Sequence, residues 1–106
     1  MVSLSGLRNR LHKKAKGENM TIYRLYTETK PNLVELTSRY FKGASLIPAW
    51  GLWQGEKELS AIIEIIGESS DLQSIVNLAG DIREVNQQTE VLVTWHPVSV
   101  LHVNGE

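Results

Sequence analysis

The segment SLIPAWGLWQGEKELSAIIEII, residues 45–66, decides the fold. Two runs rich in apolar, β-branched and aromatic residues flank Gly55 and Glu56, and a glycine at the first central position suits a two-residue type II′ turn. The segment therefore reads as a β-hairpin. That turn sets Leu52 opposite Leu59, Trp50 opposite Ala61 and Pro48 opposite Ile63. Because Pro48 has no N–H to give to a ladder, the first strand of the hairpin belongs at a sheet edge.

Upstream, TIYRLYTE, residues 21–28, is a strand by composition. Residues 29–32 end it and open a helix in which Asn32 and Glu35 resemble a capping pair. Leu33, Leu36 and Tyr40, flanked by Val34 and Phe41, form the buried stripe of that helix, and Gly43 terminates it. Downstream, Ser70 and Gln73 read as the capping box of a second helix that runs to about Asn86. Leu72, Ile75, Val76, Ala79 and Ile82 recur there at helical spacing, and Gly80 reads as a close approach to the sheet. Residues 89–96 form the last strand, closed by Pro97. Alternation over residues 98–103 admits a fifth, edge-adding strand. At the other end, Leu4, Leu7 and Leu11 suit a short amphipathic helix, which Gly17 and Asn19 would stop. Met20 offers a second start, so residues 1–19 are a basic arm, an extended reading frame or a leader, and residues 20–106 are a single α+β domain.

The order strand, helix, strand, strand, helix, strand, with right-handed crossovers, closes as a ferredoxin-like sandwich, a four-stranded antiparallel sheet with both helices on one face. The helix-facing set is Tyr23, Leu25, Leu46, Trp50, Leu52, Leu59, Ala61, Ile63, Ile65, Val91, Val93 and Trp95. The opposite face carries Ile22, Arg24, Tyr26, Ile47, Ala49, Gly51, Trp53, Ser60, Ile62, Glu64, Ile66, Leu92, Thr94 and His96. A solvated sheet face normally alternates to polar residues. Seven large apolar side chains on this one call for a cover. A second copy, the N-terminal helix, or another protein or peptide would serve, and a homodimer through the open face is the leading reading.

Composition narrows the chemistry. The 106 residues include no cysteine and three scattered histidines, which excludes disulfides and thiolate metal sites and leaves no metal-ligand spacing. No apolar run is long enough to span a bilayer. Residues 1–19 hold Arg8, Arg10, Lys13, Lys14 and Lys16 against Glu18, whereas the rest holds eleven acidic and six basic side chains. An acidic body repels nucleic acid, and the third strand offers Ser60, Ile62, Glu64 and Ile66 where an RNA-recognition module would stack bases on aromatics. Nucleic acid is therefore an unfavoured partner, although the basic arm alone would suit an acidic surface. No nucleophile elbow, phosphate loop or cofactor motif is present.

Two constellations remain. Arg24 and Glu64 fall side by side on adjacent central strands, as a surface pair or, if covered, as a register device or ligand clamp. Tyr26, Trp53 and His96 would flank a pocket under the open face, with ordinary packing at the sheet rim as the alternative. Together with Ile62, these are the candidate ligand or interface residues: Arg24, Tyr26, Trp53, Ile62, Glu64 and His96.

The stretch Gly51-Leu52-Trp53-Gln54-Gly55, preceded by a first strand of the Tyr-x-Leu-Tyr type at residues 23–26, resembles a pattern in small bacterial and phage-borne ferredoxin-like proteins of the dimeric α/β-barrel type. The resemblance spans about residues 23–93. It implies the fold and suggests a mobile-element gene, but brings no assigned activity. The expectation is a cytoplasmic, non-enzymatic homodimer without cofactor that binds a small molecule or a protein. The alternative is a monooxygenase-like enzyme of the same barrel type, acting on an aromatic or haem-like substrate among Tyr26, Trp53, Glu64 and His96. That alternative departs from the family pattern, since Asn19 and Asn32 lie outside the strand centres and no histidine sits on the second helix.

Overall fold

The computed structural model describes residues 17–104. Strands β1 (Glu18–Glu28), β2 (Ser45–Trp53), β3 (Glu56–Gly67) and β4 (Leu92–Val100) form one antiparallel sheet in the order β2-β3-β1-β4. Helix α1 (Leu33–Ser38) and helix α2 (Leu72–Val85), the latter entered through a 3₁₀ turn at Ser69–Asp71, complete the βαββαβ order of a ferredoxin-like α+β fold. The helix expected around Leu4, Leu7 and Leu11 lies outside the described residues.

The two faces are phased as the alternation predicts. Tyr23, Leu25, Ala61, Ile63 and Ile65 meet Leu33, Leu36, Ile75, Leu78, Ala79 and Ile82 in one core. The hairpin register differs by two residues: Trp50 faces Leu59, Pro48 faces Ala61 and Leu52 faces Lys57. The reason is the turn. Gln54 and Gly55 both have positive φ, 49° and 82°, so the loop is Gln54-Gly55 with the double left-handed backbone of a type I′ turn rather than Gly55-Glu56. A slip of two keeps every side chain on its face.

The helix layer is shorter than expected. Helix α1 ends at Ser38, not near Gly43, and the Ser38 hydroxyl donates to the carbonyls of Val34 and Glu35, offering those acceptors a partner other than a continuing helix. Six residues span only about 9 Å, against roughly 30 Å for the nine residues of β2. The far half of the hairpin is consequently uncovered on its helix side, with Trp50 65% and Leu52 75% exposed. Leu46, Leu59 and Trp95, also expected in the core, are exposed as well.

Capping differs too. Asn32 makes no side-chain cap but exchanges amide hydrogen bonds of 2.8 and 3.1 Å with Asn86, tying the start of α1 to the end of α2. The capping box is Glu68 with Asp71, not Ser70 with Gln73. It fits because Gly67, whose absent Cβ would lie 2.5 Å from Asp71 Oδ2, leaves room for the returning carboxylate. Gly80 faces open space, so no close approach to the sheet requires it. Pro97 does not end the last strand. It lies inside β4, opposite Thr21, and Val98 and Val100 continue the strand against Met20 and Glu18. The fifth strand is therefore absent from the described residues, because its first half is the end of β4 and residues 101–104 have no regular structure.

Two tyrosines join the layers. The buried Tyr23 hydroxyl donates to the Glu68 carbonyl, and Tyr40 donates to the Asp81 carboxylate. Burial, then the Asp71 charge, pushes Tyr23 above its ordinary 10.0, and the hydrogen bond to Asp81, then burial, pushes Tyr40 up likewise. Both groups hold their protons more tightly folded than unfolded. Their contribution to stability is thus complete below about pH 10 and is lost as pH rises through the higher folded values. Urea unfolding at about pH 9 and about pH 11 should show a fall in stability, smaller in Tyr40→Phe, which loses this linkage. Equal pH dependence in the variant would contradict the assignment.

Candidate functional site

The open face of the sheet is organised around one arginine. Arg24, at the middle of β1, stands opposite Glu64 on β3 and Thr94 on β4. Its Nε donates to Glu64 Oε2 at 3.0 Å, and its Nη1 lies 3.2 Å from His96 Nε2. Arginine has no acceptor, so this nitrogen of His96 receives the hydrogen bond. The ring proton then sits on Nδ1 and is donated to the Pro97 carbonyl at 2.9 Å. Glu64, Arg24 and His96 therefore form a chain across three strands. The side chains of Arg24 and Glu64 are 33% and 25% exposed, already mostly withdrawn from water.

Apolar residues surround this chain. Ile62 pairs with Tyr26 on β1 and Ile47 on β2, and Tyr26 pairs with Leu92 on β4. Tyr26, Ile47, Ile66 and Leu92 are exposed and Ile62 is half-buried, while Ile22 is buried between its cross-strand neighbours Ile66 and His96. Of the seven large apolar side chains expected to be wet, five are exposed, Ile62 is half-buried and Ile22 is buried. Trp53, the fifth exposed one, stands apart at the end of β2 opposite Glu56, roughly 20 Å along the strand from Ile47. The six sequence candidates thus divide: Arg24, Glu64 and His96 bond to one another, Tyr26 and Ile62 flank them, and Trp53 belongs to the hairpin tip.

Tyr26, Ile62 and Trp53 also line a cleft of about 570 Å³ where β1 stops and the hairpin runs on. Its walls are Ala49, Trp50, Gly51, Glu58 and Ser60 on one side and Glu28 with residues 88–90 on the other. Gln88 fixes the second wall. Its Nε2 donates to Thr27 Oγ1 at 2.8 Å and its Oε1 accepts from the Glu28 N–H at 3.2 Å, and the chain turns into this position through Gln87 at φ 54°. Glu64 and His96 do not line the cleft, so the pocket of Tyr26, Trp53, Glu64 and His96 expected for an enzyme is not assembled within one chain. Trp50, Glu58, Gln88 and Glu90 are lining residues that the sequence did not single out. Gln88 and Glu90 come from the loop after α2, whose path turns on the positive φ of Gln87 and has no periodic signal.

Among the described residues, no group of His, Asp and Glu side chains could hold a metal ion, and no helix is long and apolar enough to cross a membrane. No protein-family model and no curated protein matches the chain. Among solved structures it is similar to CPII, a nitrogen regulatory PII-like protein from Thiomonas intermedia, solved bound to ADP, AMP and bicarbonate. The TM-score is 0.62 at 13% identity, covering 84% of this chain and all of that one, and at this identity the likeness is one of fold.

Proposed function

We propose that the chain is a cytoplasmic, non-enzymatic small-ligand-binding module that works as a homodimer, with the two open sheet faces packed on each other. The observation that carries this reading is the apolar face around Arg24, which no element of the described residues covers. Leaving it wet forgoes about 1.5–3 kcal/mol for each large side chain that burial would contribute. Pairing through the sheet edges is the less favoured route, because β2 and β4 are the edge strands and each carries a proline, Pro48 and Pro97. Face-to-face packing lets a two-fold axis set like residues against each other.

The ligand-binding half of the proposal draws support from the cleft at the hairpin base and from the structural neighbour's complex with small molecules. That neighbour's anions are poor guides to this cleft, which is lined by Glu28, Glu58 and Glu90 and by no lysine, arginine or histidine. Light scattering on the purified chain tests the assembly. A species of twice the 11.9 kDa chain mass is expected, and a strict monomer at high micromolar concentration would sink it.

A further inference from the structure

We infer that His96 makes association through the open face sensitive to pH, the dimer loosening as the imidazole gains its second proton. This deepens the dimer reading and rests on it. Both nitrogens of the ring are already committed. Nδ1 donates to the Pro97 carbonyl at 2.9 Å, and Nε2 accepts from Arg24 Nη1 at 3.2 Å. The nitrogen left to take a proton is therefore the acceptor of the arginine's hydrogen bond. An imidazole takes that proton between about pH 8 and pH 5.

Protonation turns Nε2 into a donor aimed at another donor and sets a second positive charge beside the guanidinium. Arg24 is held from the other side, its Nε 3.0 Å from Glu64 Oε2, so the chain of three groups breaks at its histidine end. The surroundings offer the imidazolium nothing in return. On β1 the residue directly opposite His96 is Ile22, and Glu18, on the same face, lies four residues further, about 13 Å along the strand. Glu64 is committed to Arg24 and lies two strand spacings away on β3, about 9–10 Å. β4 is an edge strand, and its Thr94 beside the ring on this face is uncharged. In the single chain the exposed ring can turn to water. Under a second face it cannot, and a two-fold axis doubles the problem: a trio that sums to zero charge at neutral pH becomes two unpaired positive charges in one apolar layer.

Sedimentation equilibrium on the full chain at about pH 7.5 and about pH 5.5 tests the inference. The dimer dissociation constant should rise about tenfold or more at the lower pH, because a proton must leave each of two imidazoles when the faces meet. His96→Gln keeps an acceptor for Arg24 and does not titrate. Its association should hold within about twofold over the same range and exceed the parent's at about pH 5.5, a gain that misfolding cannot mimic. His96→Lys, charged at both values, should associate weakly at both. His102→Gln removes the other histidine of the described residues and should leave the parent's dependence intact. Nitrogen-15 NMR of the ring should find the proton on Nδ1 at about pH 7.5 in either state of assembly. A proton on Nε2 there, equal affinity of the parent at both pH values, tighter association at the lower one, or the parent's dependence surviving in His96→Gln would overturn the inference and leave the dimer in place. A strict monomer at about pH 7.5 removes the dimer reading and this inference with it.

Discussion

Ile62→Asp is expected to turn the proposed dimer into a folded monomer. Ile62 sits between Tyr26 and Ile47 on the open face, one residue pair from Arg24 and Glu64 along the central strands. In the single chain it is half-buried, so a carboxylate can still reach water, and the cost to the monomer is about 1 kcal/mol from lost strand packing. Between two faces the same carboxylate loses its water and meets its symmetry mate in an apolar layer. An unpaired buried charge costs about 3–5 kcal/mol, which weakens association by roughly a hundredfold or more. Light scattering should report the chain mass while circular dichroism stays that of the parent. Val34→Asp, at an exposed position on α1, is the control and should leave the mass unchanged. A variant Ile62→Asp that keeps the parent's doubled mass would show that the open face is not the contact.

The parts of this fold legible in the sequence were those governed by period. Strands alternate, so Tyr23 and Leu25 were separable from Arg24 and Tyr26 without knowing the partner strands, and the separation survived a hairpin register that was off by two. What depended on local backbone geometry was not legible. The turn lies one residue before Gly55-Glu56 because Gln54 adopts positive φ, which a glutamine does not advertise. Helix α1 stops at Ser38 although Tyr40 and Phe41 continue its apolar stripe, a pattern that reads as a longer helix. They do pack on the core, but from the turn after the helix. That shortening left Trp50 and Leu52 outside the core. Arg24 and Glu64 were found because they are neighbours on adjacent central strands, whereas Glu90 and Gln88 reach the cleft from a loop whose path no pattern encodes.

Arg24→Met separates a surface ion pair from a covered one, and it carries the second large effect. On the open face of a monomer, a pair with 33% and 25% side-chain exposure is screened and contributes under about 1 kcal/mol to folding. Under a second sheet, the methionine would leave Glu64 as a desolvated carboxylate with no cation. His96 cannot replace the arginine, since it bonds Arg24 from β4, on the far side of β1 from Glu64, with two strand spacings, about 9–10 Å, between them. Removing one partner of a buried pair costs about 3–5 kcal/mol, so association should weaken by roughly two to three orders of magnitude while monomer stability scarcely changes. The double variant Arg24→Met with Glu64→Leu removes the orphaned charge and should recover most of the lost affinity, because replacing both members of a buried pair by apolar groups is close to neutral. Recovery in the double variant, measured by sedimentation equilibrium, places the pair inside the interface. Association that is unaffected by the single substitution leaves Glu64 in water, and the second copy must then pack elsewhere or not at all.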